Sequence, residues 1–119
     1  MADIDFVKHD QGGVNSRILA RETKADFRRV EAARALSRHV MITNATAGPQ
    51  VAPSIASKVT ATQTAFEVAS DALGLFGGNG LSREYPIEKL LRDARASMIE
   101  DGSNDVLGLI AMDHLTASP

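Results

Sequence analysis

The sequence predicts an all-α fold, an up-and-down bundle of four helices. Aromatic residues make up only 4% of the chain, which disfavours β-sheet because strands are rich in aromatic and β-branched side chains. Apolar residues also recur at intervals of three and four along the long segments, as they do on one face of a helix. Short links separate four such segments, and 119 residues correspond to one domain.

The first predicted helix follows a polar amino-terminal arm, residues 1–13. Either Asn15 or Ser16 is suited to cap this helix, because a short polar side chain can accept a hydrogen bond from an unpaired amide of the first turn. The helix is expected to continue to about Thr43. Residues 14–119 then form the bundle. The apolar stripe of the first helix consists of Ile18, Phe27, Val30, Ala33, Leu36 and Val40.

The second predicted helix has the clearest periodicity. Residues 44–53 contain one glycine and two prolines, which indicates a connection between antiparallel helices, and Ser54 is the predicted cap. Apolar positions then follow one another at alternating spacings of four and three, the pattern of a bundle seam. The helix is predicted to stop in the glycine-rich segment 74–80. The seam positions are Ile55, Val59, Thr62, Phe66, Ala69 and Leu73.

Two shorter helices complete the predicted bundle. The third begins near Pro86, since proline is accepted in the first turn of a helix. The fourth runs from about Ser103 to Leu115. Its first turn carries Ser103 and Asp105, whose oxygen atoms can satisfy unpaired amides and complement the positive helix end. The apolar face of the third helix consists of Ile87, Leu90, Leu91, Ala94 and Met98.

Composition argues against several function classes. The 13 basic residues are scattered among 15 acidic ones, with a net charge of -2, so nucleic acid is not an expected partner. The absence of cysteine excludes disulfides and thiolate metal sites, and the three histidines share no metal-ligand spacing. No apolar run approaches the roughly 20 residues that span a bilayer. Because residues 1–11 also lack the features of a secretory signal, a cytoplasmic protein is predicted.

Three consecutive motifs carry a family resemblance. They are Phe76-Gly77-Gly78-Asn79-Gly80, then Tyr85-Pro86-Ile87-Glu88 with Arg92-Asp93, then Glu100-Asp101-Gly102-Ser103-Asn104-Asp105. This order resembles the carboxy-terminal helical domain of the acyl-CoA dehydrogenases, in which a glycine turn, a Tyr-Pro helix and a Glu-Gly-Thr-like turn meet flavin and thioester. The resemblance covers roughly residues 16–115, and its specific motifs lie between residues 71 and 111.

The resemblance implies a catalytic base at Asp101. In the family, the acid before this glycine removes the α-proton of an acyl-CoA thioester while the flavin takes a hydride from the β-carbon, and Gly102 is the implied substrate contact. Desolvation beside the flavin raises the pKa of such a carboxylate and makes it a better base. The family usually has glutamate there, one methylene longer. Glu100 is the alternative base, and both acids are also typical of the region before a helix.

The resemblance further implies contacts to FAD. In the family, one segment touches the adenosine end of a flavin that is held mainly by a neighbouring subunit. In this chain, that segment corresponds to Gly74, Leu75, Phe76, Gly77 and Gly78. The residues expected beside the flavin are Ser103, Asn104 and Asp105. Many family members have glutamine where this chain has Gly74, and a glycine cluster by itself is more often a helix terminator. Structural roles are predicted for Tyr85, Glu88, Arg92 and Asp93.

The family enzymes of fatty acid metabolism contain more than this sequence. They also have an amino-terminal helical domain, a middle β-domain and a further bundle helix with a flavin contact. The chain is therefore predicted to be the carboxy-terminal domain of such a dehydrogenase, homo-oligomeric and inactive by itself. A separate chain is one candidate source of the other domains. The alternative is a non-catalytic helical oligomerisation module or a relic of the family. Whether the chain is itself an enzyme is left open.

Overall fold

The computed structural model describes the backbone of residues 14–117 and the side chains of residues 21–117. Four α-helices follow one another: α1 (Val14–Ala47), α2 (Val51–Phe76), α3 (Ile87–Ser97) and α4 (Asn104–Thr116), with a 3-10 segment, Gly77–Leu81, between α2 and α3. No strand occurs within these residues, which confirms the all-α prediction. Nor does any helix in this range have the length and apolar character needed to cross a membrane.

α1 and α2 form an antiparallel pair. Near the middle of the chain, Asn44 donates from Nδ2 to Ser54 Oγ at 2.9 Å. Further from the corner, Arg29 donates to Asp71 at 3.1 Å. The contacting residues have lower numbers in α1 as their partners in α2 have higher ones. The two helices therefore run in opposite directions along most of their length.

α2 is the central helix of the bundle. The Arg95 guanidinium of α3 lies 5.7 Å from the centre of the Phe66 ring, and the Phe76 and Tyr85 rings meet edge to face at 5.5 Å. These two pairs make α3 antiparallel to α2. α1, α3 and α4 each pack chiefly on α2, so the bundle is open. The apolar side chains that are buried among the described residues are Ala33, Val40 and Ile87.

The corner between α1 and α2 corrects one prediction. Ser54 was predicted to cap α2, but α2 begins three residues earlier and its N-cap is Gln50. The Asn44 side chain supplies the missing contact, because its Oδ1 accepts from the Gln50 amide at 2.9 Å. Pro53 fits the first turn since its lack of an N–H removes no intrahelical hydrogen bond there. The cap therefore comes from the preceding helix.

α1 extends past its predicted end, whereas α2 ends inside the glycine-rich segment that was predicted to stop it. α1 continues beyond Thr43 to Ala47, where Gly48 has a φ of 87°. α2 passes through Gly74 and stops at Gly77, which has a φ of 59°. The chain leaves each helix at the first glycine in the left-handed region, which other residues adopt at a cost. A glycine in the sequence does not end a helix unless its backbone turns.

Gly80 packs the 3-10 segment against the last turns of α2. It is buried, and a Cβ at this position would lie 2.7 Å from the Leu73 carbonyl oxygen and 3.1 Å from the Phe76 Cβ. Backbone atoms cannot withdraw in the way that a flexible side chain can. The close approach of the segment to α2 therefore requires glycine at this position.

One guanidinium joins α1 to α2. Arg29 lies 3.2 Å from Asp26, 3.3 Å from Glu67 and 3.1 Å from Asp71. Burial, followed by repulsion from Asp71, raises the pKa of Asp26 even though Arg29 is adjacent. Charging Asp26 is therefore harder in the folded protein than in the unfolded chain.

Replacing Gly80 with alanine should destabilise the fold. The added Cβ meets backbone, so Gly80→Ala is expected to lower the free energy of unfolding by about 1–3 kcal/mol. Gly78→Ala is the matched control, because no atom lies within 4 Å of its Cβ position and its φ is ordinary. Urea titrations followed by circular dichroism measure both. Equal unfolding midpoints for the two variants would contradict the packing described.

Removing the Asp26 charge should not destabilise the protein at pH 7. A raised folded-state pKa means that the contribution of Asp26 to stability falls as pH rises from the unfolded-state value, near 3.8, through the folded one. Asp26→Asn is thus expected to melt at the same or a higher temperature at pH 7. This advantage should disappear at pH 3, where Asp26 is protonated in both states.

Glu31→Gln serves as the control, since Glu31 makes an exposed pair with Arg34 one turn away. Its thermal midpoint should follow that of the parent protein at both pH values. A lower midpoint for Asp26→Asn at pH 7 would show that attraction to Arg29 outweighs burial.

Candidate functional site

The turn between α3 and α4 has an unusual backbone. Asp101 has a φ of 55°, and Gly102 follows with a φ of 100°. Asp101 is the one non-glycine residue with positive φ in the part of the chain that the structure describes. The left-handed region costs most L-residues roughly 1–2 kcal/mol, and aspartate is one of the few non-glycine residues that enter it.

A polar network from α2 holds this turn. Lys58 Nζ donates to the Gly102 carbonyl and to Asn104 Oδ1, both at 2.9 Å. Asn104 Nδ2 donates in turn to Thr62 Oγ1 at 3.0 Å. The backbone N–H of Asn104 donates to the Met98 carbonyl at 3.0 Å, and this hydrogen bond closes the turn. Residues 98–104 are therefore anchored to one face of α2.

Ser103 caps α4 as predicted. Its Oγ accepts from the Val106 amide, and its carbonyl accepts from the Leu107 amide at 3.0 Å. Asp105 lies in the first turn, where its negative charge complements the helix dipole. Local capping and the network from α2 together determine where the turn ends.

Both candidate bases are exposed. Glu100 and Asp101 are each solvent-accessible, and beyond them Gly102 packs close enough to Leu107 that a Cβ would lie 3.2 Å from it. A hydrated carboxylate is a poor base for a carbon acid, since general-base catalysis needs a tuned environment. The chain thus positions these carboxylates without covering them.

The glycine turn presents bare backbone. Gly74 lies within α2, and Leu75 and Phe76 are half-buried in its last turn. Gly77 and Gly78 are exposed, and no atom lies within 4 Å of either Cβ position. A ligand can approach this backbone without meeting a side chain.

The two groups of predicted site residues lie apart. The 101–105 turn contacts α2 at Thr62, whereas Gly74 lies twelve residues further along the same helix, about 18 Å at 1.5 Å per residue. The structure therefore brings Asp101, Ser103 and Asn104 together and leaves the glycine turn as a separate surface.

Sequence reasoning missed the two residues of α2 that hold the turn. Thr62 was assigned only to the apolar seam, and Lys58 was not assigned a role. The available signal was that Lys58 is the single basic residue of α2, four positions before a threonine. That spacing places both side chains on one face of a helix.

The residues predicted to be structural have structural partners. Tyr85 packs on Phe76, Arg92 donates to Glu88 at 2.9 Å, and Asp93 pairs with Lys89. Among residues 14–117, no three histidine or acidic side chains gather closely enough to hold a metal ion.

Comparison with known families and proteins gives one consistent result. The family model of the acyl-CoA dehydrogenase C-terminal domain matches residues 19–116. A probable acyl-CoA dehydrogenase of Mycobacterium tuberculosis is 43% identical over 53 residues, which are 44% of this chain and 14% of that protein. The acyl-CoA dehydrogenase of Bacillus subtilis is 39% identical over 59 residues, 50% of this chain and 16% of that protein. The chain matches only about one seventh of the length of these relatives.

A solved structure has the same helical arrangement. It is described as the electron transferring flavoprotein of Acidaminococcus fermentans, in a study of flavin-based electron bifurcation. Its chain superposes with a TM-score of 0.79 and 28% sequence identity, over 86% of this chain and 27% of that chain.

Replacing Lys58 should loosen the turn. Lys58→Met removes two donated hydrogen bonds and is expected to lower the free energy of unfolding by about 1–2 kcal/mol. It should also speed hydrogen exchange of the backbone amide of Asn104, whose hydrogen bond to Met98 closes the turn. Lys89→Met is the matched control, because it removes only an exposed pair within α3 and should change stability by a few tenths of a kcal/mol. Unaltered exchange at Asn104 in Lys58→Met would mean that Lys58 does not hold the turn.

Proposed function

Because this chain belongs to the acyl-CoA dehydrogenase family through its carboxy-terminal domain, we propose that it supplies the helical domain of a flavin-dependent dehydrogenase that converts acyl-CoA to the α,β-unsaturated thioester. One observation carries this proposal. Asp101 stands in a left-handed conformation in a turn that Lys58 and Asn104 fasten to α2. Residues held in an uncommon backbone conformation cluster at functional sites.

Asp101 is the proposed base that takes the α-proton of the thioester. Glu100 is the alternative, but Asp101 has the positive φ and directly precedes Gly102, whose carbonyl is anchored by Lys58. Gly102 is the proposed neighbour of the acyl thioester. Both carboxylates are exposed in this chain, so the surface that desolvates the base and orients the substrate must come from outside residues 14–117.

The residues present fit FAD in two places. The exposed backbone of Gly77 and Gly78 suits the close approach of a dinucleotide. Gly74, Leu75 and Phe76, which precede these two glycines, are proposed to contact the same part of FAD. Ser103 and Asp105 are proposed to lie beside the flavin at the other surface. The Asn104 side chain is already engaged by α2, so its proposed contribution is to position that turn. When bound, FAD supplies the acceptor for the hydride that leaves the β-carbon.

Self-association is part of the proposal. The exposed backbone of Gly77 and Gly78 leaves the glycine turn accessible to a flavin held mainly by a neighbouring copy. We propose a dimer or tetramer through the long helices α1 and α2, in the cytoplasm, with acyl-CoA as substrate. The surface that surrounds the base is proposed to come from residues outside 14–117 or from a separate chain.

A second candidate function is a non-catalytic helical oligomerisation module. Large apolar side chains that are exposed in the single chain favour it, since such surfaces mark interaction sites. They include Phe27, Met41, Ile42, Leu90, Leu109 and Met112. Flavin absorbance of the purified protein would favour the dehydrogenase domain, and a colourless oligomer would favour the module.

A chimera tests the dehydrogenase proposal. In the Bacillus subtilis relative, the part that corresponds to residues 19–116 is replaced by these residues, and turnover of acyl-CoA is measured with an artificial electron acceptor. The chimera should be active and the isolated chain inactive, because only the chimera surrounds the turn. In the chimera, Asp101→Asn should lower kcat by about 10²–10⁴-fold and leave flavin absorbance unchanged.

Glu100→Gln in the same chimera is the matched control and should keep kcat within a few-fold. If Asp101→Asn turns over at the parent rate, Asp101 is not the base. If Glu100→Gln alone is inactive, the alternative assignment is correct. Turnover by the isolated chain would overturn the requirement for further domains.

A further inference from the structure

An apolar groove of about 810 Å³ runs along the face where α1, α2 and α3 meet. On α1 its lining extends from Val30 to Met41, which is about 17 Å at 1.5 Å per residue. Small side chains leave this space free. The floor includes Val30, Ala33, Ala61, Ala65, Val68 and Ala72. Three turns of a helix match the length of the groove.

α4 carries the complementary surface. Its inner side packs on α2, and its outer side exposes Val106, Leu109, Ile110 and Met112, with Leu109 69% and Met112 58% exposed. The 13 residues of α4 form a helix about 20 Å long. α4 therefore offers large apolar side chains over the length that the groove accepts.

The charges of the two surfaces are opposite. Arg34 and Arg38 line the α1 side of the groove, and Asp93 on its α3 side is paired with Lys89. Arg34 makes only an exposed pair with Glu31. On α4, Asp113 lies four residues after Leu109, on the same outer face. Neither Asp113 nor Arg38 forms an ion pair within residues 21–117.

We propose that two copies of this chain associate reciprocally, with α4 of each copy seated in the groove of the other. α4 and the groove then match in length as well as in charge. α4 is about 20 Å long and the α1 side of the groove about 17 Å, so the two lengths agree to within one helical turn. The proposal rests on the self-association put forward above and names its contact surfaces.

Engineered cysteines test the seating directly, because the natural chain contains none. Ala65 lies in the groove floor and Leu109 on the outer face of α4. Ala65→Cys and Leu109→Cys proteins are purified separately, mixed and oxidised. The mixture should form a disulfide-linked heterodimer, since seated Cα atoms come within the roughly 7 Å that a disulfide spans. Ser70→Cys mixed with Leu109→Cys is the control, because Ser70 is exposed on α2 outside the groove, and its yield should be at least about tenfold lower.

Charge reversal gives a second, independent measurement. Arg38→Glu should raise the dissociation constant of the dimer at least about fivefold, whereas Arg28→Glu, exposed on α1 outside the groove, should not. Light scattering across a dilution series measures both. If dimers form but neither the cross-link nor the Arg38 effect appears, this seating is wrong and self-association stands. If the mass stays at that of one chain up to high micromolar concentration, the self-association proposed above fails too.

Discussion

The packing of every other helix on α2 is the interaction on which this structure depends. α1 is tied to α2 by the Arg29 guanidinium, and α3 by the Phe66 and Phe76 rings. α4 joins it through Asn104. Because the outer helices have little contact with one another, burial is shallow, and even the seam residues of α2 remain half-exposed. In such an open bundle, polar contacts to α2 set the geometry that a thick apolar core sets elsewhere.

Local signals in the sequence were sufficient to predict the fold class and the start of the last helix. Apolar periodicity predicted four helices, and the Ser103 cap follows from the preference of a short hydroxyl for that position. Boundaries that depend on tertiary contacts were harder. Ser54 was a reasonable cap by itself, but Asn44 reaches it from ten residues away. Likewise, Gly74 and Gly77 look alike in the sequence, and only Gly77 takes a left-handed φ.

The candidate site shows the same division. Motif order placed Asp101, Gly102 and Ser103 in one turn, because they are consecutive. Lys58 and Thr62 are more than forty residues away from the atoms they bind, and no local pattern links them to that turn. The exposure of Asp101 is also a tertiary property. Residue identity indicates which acid can serve as a base, whereas the surroundings determine whether it does.

The stretch of α2 between Thr62 and Gly74 sets both the distance between the two candidate surfaces and their relative rotation about the helix axis. Each helical residue adds 1.5 Å along the axis and 100° around it. Inserting or deleting a single residue there would move the two candidate surfaces by only 1.5 Å along α2. It would also rotate one about the other by more than a quarter of a turn. Side chains in this stretch can vary, but its length cannot change without turning the two surfaces away from whatever they jointly face.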